Sequence, residues 1–236
     1  MSALLRTSNL LLVASSVTVA LTLWMVFFWV PTEANQGAIQ RIVYFHVPVA
    51  WGSMLGVILV AVASVAYLLT KRQIWDRVAV ATAETGVVFG GLMLLSGMLW
   101  ARPVWGVWWT GEAKLTTALI LFFIYVAYLM FRSYFPEGEQ RQRLAAVIAI
   151  VGAIDTPIIY FAANLWSQAH PPAVVGPAAT DETAFAAQFG TTLLMSTVAF
   201  TFLYAYVAFE RFRLRQAEDD LTEARRIAGT LEGASI

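Results

Sequence analysis

His46 and His170 are the only two histidines in 236 residues. Each lies in a short segment between long apolar runs. A third such segment carries Trp105-Gly106-Val107-Trp108-Trp109. Neutral imidazole ligates iron, and two imidazoles can fill both axial positions of a haem. Indoles offer a broad π-face to a flat apolar macrocycle at little entropic cost. If the three segments meet at one face of a membrane, this set of side chains is suited to haem. With no cysteine in the chain there is no C-x-x-C-H attachment motif and no thiolate metal site, so the haem would be b-type and non-covalent.

The elements that must position these residues follow from composition. The chain is 59% hydrophobic and 13% charged, with a mean hydropathy of +0.69. A soluble domain carries about twice that charge. Six apolar runs, over residues 10–30, 48–70, 78–100, 115–131, 144–166 and 184–209, can cross ~30 Å of hydrocarbon as helix. The expected fold is an all-α integral membrane protein with six transmembrane helices. Residues 1–209 form the membrane domain and 210–236 a charged tail. The first run is too long for a signal-peptide core and reads as a retained span. Short connections make neighbouring spans antiparallel.

Orientation follows from the basic residues. Arg6, Lys71, Arg72, Arg77, Arg132, Arg141, Arg143, Arg211, Arg213, Arg215, Arg225 and Arg226 fall on one side, and Arg41, Arg102 and Lys114 on the other. Twelve against three predicts that both termini are cytoplasmic and that the His46, tryptophan and His170 loops face outward. Membrane lipid is then the main environment. A net charge of zero and the absence of a long basic run give no footing for nucleic acid.

Locally, Thr32 can cap a short helix in which Ala38, Ile39, Ile42 and Val43 recur at helical spacing, lying in the outer interface. Pro48 suits the first turn of the second span and biases Val47 to an extended conformation, which places His46 at a break between two helices. His170-Pro171-Pro172 is a second proline-set break. In a helix Trp105 and Trp109 would share one face with Trp108 alongside, and Gly106 would admit close approach of a ligand to the backbone. Arg41, Arg102 and Lys114 can meet the haem propionates, although Arg102 reads equally well as a snorkelling residue at a helix end.

Glu84 and Asp155 lie within spans and should face the bundle interior, either for a function or to bridge helices. Gly52-x-x-x-Gly56 and Gly86-x-x-x-Gly90 mark close helix contacts. In the tail, Leu214, Ala217, Leu221, Ala224, Ala228 and Leu231 form a weak heptad-like seam, consistent with a docking helix or with a solvated tail. No G-x-x-x-x-G-K-[ST] occurs, so this chain has no ATP-binding P-loop and reads as a non-enzyme subunit; an ATP-driven step needs a partner.

Arg41-Ile42-Val43-Tyr44-Phe45-His46-Val47-Pro48, followed by Trp51-Gly52, resembles the first outer loop of the CcmC family of cytochrome c maturation. Trp105-Gly106-Val107-Trp108-Trp109, running on to Lys114-Leu115-Thr116, resembles its tryptophan-rich signature. Pro157-Ile158-Ile159, Trp166 and His170 resemble its fifth span and last outer loop. The similarity covers about residues 9–209. It departs at Gly111 and Glu112, where the family pattern has Trp and Asp.

The resemblance implies transient haem binding at the outer face of a bacterial inner membrane, with His46 and His170 as axial ligands. It implies delivery to a membrane-anchored periplasmic haem chaperone (CcmE). It also implies work beside an ABC ATPase subunit, a second permease and a small single-span subunit. Two other readings of the residues stay open: an electron-transfer haem protein of cytochrome b type, and a small-molecule permease whose tryptophans form an interfacial belt.

Single cysteines introduced into this cysteine-free chain test the orientation. The impermeant reagent is expected to label positions in the three outer loops from the outside; labelling of those loops from the cytoplasmic side alone would reverse the assignment.

Overall fold

The structure, a computed structural model, describes residues 2–166 and 187–233. Among them the chain is helical, with six helical segments long and apolar enough to cross a membrane. Helix α1 (Ser2–Trp24) ends in a π-helical turn, Met25–Trp29. A 3₁₀ turn, Ala38–Ile42, runs directly into α2 (Val43–Thr70). Then come α3 (Gln73–Trp105), α4 (Ala113–Tyr134), α5 (Glu139–Ala153), α6 (Asp155–Leu165) and α7 (Ala187–Gly233). The protein is an all-α membrane protein. On α1 the side chains of Leu10, Val13, Val17 and Leu21 stay exposed at helical spacing, a stripe that meets lipid.

The pair α2–α3 forms the centre. Helices α5 and α7 pack on α2, α7 also packs on α3, α1 packs on α7, and α4 lies against α3, α5 and α6. Lipid tails are as apolar as leucine, so helices associate in a membrane mainly by close van der Waals contact at small residues. The two small-residue motifs supply that contact. A Cβ added to Gly56 would lie 2.9 Å from the Gly86 Cα, one added to Gly90 would lie 3.2 Å from the Ser53 hydroxyl, and one added to Gly52 would collide with the Phe89 ring. The glycines thus set both the spacing and the antiparallel register.

Charged groups hold the end of the bundle remote from His46. Asp76 of α3 receives two hydrogen bonds from the Arg132 guanidinium of α4, at 2.7 and 2.6 Å, and the pair is almost wholly buried. Arg132 also lies over the Tyr128 ring. Glu84 bridges helices: its carboxylate accepts from Arg211 at 2.8 Å and from Arg215, both on α7. Arg77 reaches Asp219 at 2.6 Å, and Ser8 of α1 donates to Glu210. These pairs tie α1, α3, α4 and α7 together.

The fifth apolar run crosses as one helical segment, Glu139–Ala162, with an irregular turn at Ile154 between α5 and α6 where the backbone stays helical. Pro157 has no N–H for the Ala153 carbonyl, which interrupts the ladder at that point. Asp155 sits at this turn, with Oδ2 buried and without a hydrogen-bond partner among the described residues. The tail residues up to Gly233 continue α7.

Gly56→Ala should destabilise the bundle by about 1–3 kcal/mol through overpacking. Its methyl would also meet the Tyr204 hydroxyl, which is pinned to the Thr82 carbonyl. Gly91→Ala, whose Cβ would meet only the Phe122 ring at 3.7 Å, should leave stability unchanged or raise it by up to about 1 kcal/mol. Reversible unfolding in detergent separates the two.

Candidate functional site

His46 is inside a helix, not at a break. It lies in the first turn of α2, and Val47 and Pro48 are helical too. The reason is tertiary. Pro48 cannot donate to the Tyr44 carbonyl, and the buried Ser196 hydroxyl of α7 donates to that carbonyl instead. The orphaned acceptor is satisfied from another helix, so the proline is accommodated. The expected interfacial helix is also changed. It is a 3₁₀ turn that runs into α2, and its N-cap is Gly37 at φ +62°, not Thr32.

The half-buried imidazole of His46 rests on α3. Nδ1 is 3.0 Å from Ser96 Oγ. A Cβ added to Gly97 would lie 3.1 Å from His46 Cε1, so the ring lies close against the α3 backbone. Trp100 meets the ring edge-on, centroids 5.8 Å apart. The Trp100 indole also donates to the Gln36 side chain at 3.1 Å, which joins the first connection to α3.

The tryptophan segment is not a helical shelf. α3 stops at Trp105, and Gly106 turns left-handed at φ +76° with its N–H on the Arg102 carbonyl at 3.0 Å. Gly106 is therefore a helix C-cap, the usual place for a residue without a Cβ. Trp105 and Trp109 are half-buried, and Trp108 is 52% exposed. Trp108 and Trp109 follow the turn, so the i, i+4 stack does not form. They remain in the α3–α4 connection, beyond the same end of α3 that carries Ser96, Gly97 and Trp100. Gly111 has φ +72°, a conformation that favours glycine over the tryptophan of the family pattern. Glu112 stands just before α4 and accepts from Thr110 at 3.0 Å.

The three cations differ. Arg41 holds the Phe27 carbonyl and the Thr32 hydroxyl at 3.4 Å each, pairs with no carboxylate among the described residues, and leaves its buried Nε without a partner. A guanidinium with that unspent capacity fits a propionate. Arg102 is exposed and donates to the Gly106 carbonyl, closing the end of α3. Lys114 is half-buried in the first turn of α4, in electrostatic contact with Glu112. His170 lies outside the described residues.

The structure thus brings together His46, Trp100 and, across the first connection, Gln36. Sequence reasoning passed over Ser96 and Gly97. The signal was available: two antiparallel helices whose G-x-x-x-G motifs face each other, Gly56 against Gly86, must run on to set His46 opposite Gly97.

The sequence profile described as "Heme exporter protein C" (CcmC) matches residues 1–226. A "Heme exporter protein C" of Bradyrhizobium diazoefficiens is 35% identical over 210 residues, 86% of this chain and 78% of that protein. A "Putative cytochrome c biosynthesis ccmC-like mitochondrial protein" of Marchantia polymorpha is 34% identical over 184 residues, 78% of this chain and 73% of its own length. A "Heme exporter protein C" of Haemophilus influenzae is 30% identical over 190 residues, 80% and 76% of the two chains.

Ser196→Ala removes the donor to a buried carbonyl and should lower stability by about 1–3 kcal/mol. Amide exchange should quicken across residues 44–47, the turn that carries His46; unchanged protection there would mean that the Tyr44 carbonyl needs no partner.

Proposed function

The chain belongs to the CcmC family, whose role is haem handling in cytochrome c biogenesis, and on that premise we propose that it holds haem at the outer face of the inner membrane and presents it to a periplasmic chaperone. Haem here is cargo. His46 and His170 supply the two axial nitrogens. Trp105, Trp108 and Trp109 supply aromatic surface for the macrocycle, now as walls around a turn. Arg41 neutralises a propionate, with Arg102 and Lys114 adding positive charge at the same end. Both termini are cytoplasmic, and residues 210–236 extend α7 as a charged tail on that side.

One observation supports the reading above the others. An imidazole is seated firmly on α3, at the bundle end where the tryptophan segment also lies and where Arg41 has no carboxylate partner among the described residues. A seated ring holds an axial ligand in one orientation, and an uncompensated cation welcomes an anionic cargo. The cargo is held without a covalent bond and is therefore transferable. Delivery to a CcmE-like chaperone requires an iron–imidazole bond to break. An ABC ATPase subunit, acting with a second permease and a small single-span subunit, is the source of work for that step, since this chain carries no P-loop.

The visible spectrum of the purified protein tests the ligands. His46→Ala or His170→Ala alone should leave a five-coordinate or water-ligated haem with a shifted Soret band. The double variant should insert normally and carry no haem. A six-coordinate, low-spin spectrum in the double variant would place the ligands elsewhere. A firmly held haem that cycles between redox states but never loads the chaperone would favour electron transfer.

The aromatic contribution is separable. Stacking is worth about 0.5–1.5 kcal/mol per pair beyond area burial. Trp108→Phe should therefore weaken haem retention modestly, and replacement of both Trp108 and Trp109 by Ala severely. Full haem content in the double Ala protein would remove these indoles from the site.

A further inference from the structure

Ser96 Oγ has three close neighbours. His46 Nδ1 is at 3.0 Å on one side. The carbonyls of Leu92 and Met93 are at 2.7 and 3.1 Å on the other. A hydroxyl has one hydrogen and two lone pairs. A carbonyl cannot donate, so the 2.7 Å contact, the shortest of the three, takes that hydrogen. This is the usual back-bond of a helical serine to the carbonyl four residues earlier. Toward His46, Ser96 then offers only a lone pair, and the Nδ1 side of the imidazole must supply the proton.

We propose that Ser96 is a positioning residue that holds His46 as the Nδ1–H tautomer, so that Nε2 is the basic nitrogen presented for iron. In a neutral imidazole one nitrogen carries the hydrogen and the other the lone pair, and the partner of the first decides which. The ring is also held in orientation. Gly97 lets it lie on the backbone of α3, and the Trp100 edge bounds it. Ser96, Gly97 and Trp100 occupy little more than one helical turn, so a single rigid segment sets the tautomer and the orientation together. A hydrogen bond from Nδ1–H also makes Nε2 more basic. The inference rests on His46 being an iron ligand, as proposed above, but its first test does not.

The first test uses full-length protein in detergent with ¹⁵N-labelled histidine and His170→Ala, which leaves His46 as the one labelled ring. Nitrogen shifts of the haem-free protein, above the pH at which the ring is neutral, should report Nδ1–H. Adding Ser96→Ala should shift the population toward Nε2–H. Ser96→Thr, whose hydroxyl can make the same back-bond, should restore Nδ1–H. An Nε2–H ring in the parent protein would overturn the proposal whatever haem does.

The second test is haem titration with His170 present. Loss of such an outer partner typically costs 10–100-fold in metal affinity, so Ser96→Ala should weaken haem binding by about 10-fold or more and Ser96→Thr should recover it. The iron–His46 stretching band of the ferrous His170→Ala protein should fall with Ser96→Ala, a shift that general loosening of the bundle does not produce. If His46→Ala binds haem as well as the parent does, the ligand assignment fails and the positioning role fails with it, while the tautomer result stands. If His46→Ala loses haem but Ser96→Ala keeps full affinity and an unshifted band, the ligand assignment stands and the role of Ser96 is overturned.

Discussion

The close contact between α2 and α3 is the constraint on which the rest of the structure depends. Gly56 lies so close to Gly86 that a methyl group on Gly56 would sit 2.9 Å from the Gly86 Cα, and Gly52 accommodates the Phe89 ring. Close packing at small residues is the main attraction open to helices in lipid, where leucine surfaces gain nothing by leaving the tails. Once those glycines are in contact, the remaining register is no longer adjustable. Each step along α2 toward its N-terminus is matched by a step along α3 toward its C-terminus, and His46 arrives at Ser96 and Gly97. The chemistry at the end of the bundle is set by packing in its middle.

Charge is handled differently at the two ends. Away from His46, carboxylates are matched: the buried Asp76 with Arg132, and the partly buried Glu84 with Arg211 and Arg215. A buried ion pair is costly to break, because the abandoned partner stays in a low-dielectric setting. These pairs therefore hold α3, α4 and α7 as one body. At the His46 end, Arg41 is held by oxygen atoms without formal charge and has no carboxylate partner among the described residues. Among the described residues Arg41 thus keeps capacity for an anion, which supports the proposed holding of a dicarboxylate cargo at that end.

Proline and glycine decide the local detail. Pro48 is tolerated within α2 because Ser196 satisfies the carbonyl it orphans. Pro157 finds no such rescue among the described residues, and the ladder of the fifth run is irregular at Ile154. Gly106 ends α3 and turns the tryptophan segment away from the helix axis. At Pro48 a distant side chain supplies the missing hydrogen bond and the helix runs on.

Composition and apolar run length, by themselves, determined the fold class and the six spans, because hydrocarbon thickness and backbone hydrogen bonding admit little else. Residue type determined the candidate chemistry: two imidazoles, clustered indoles and few cations in the connections. The spacing of Gly52, Gly56, Gly86 and Gly90 already announced the central contact. Tertiary structure alone decided that His46 sits within a helix against Ser96 and Gly97, and that Glu84 joins α3 to α7. Both depend on partners far away in sequence, Ser196 for the Tyr44 carbonyl and Arg211 and Arg215 for Glu84, whereas the turn that separates Trp105 from Trp108 and Trp109 is set locally by Gly106. Periodicity reports the face a residue occupies, but the group opposite that face exists only once the helices are packed.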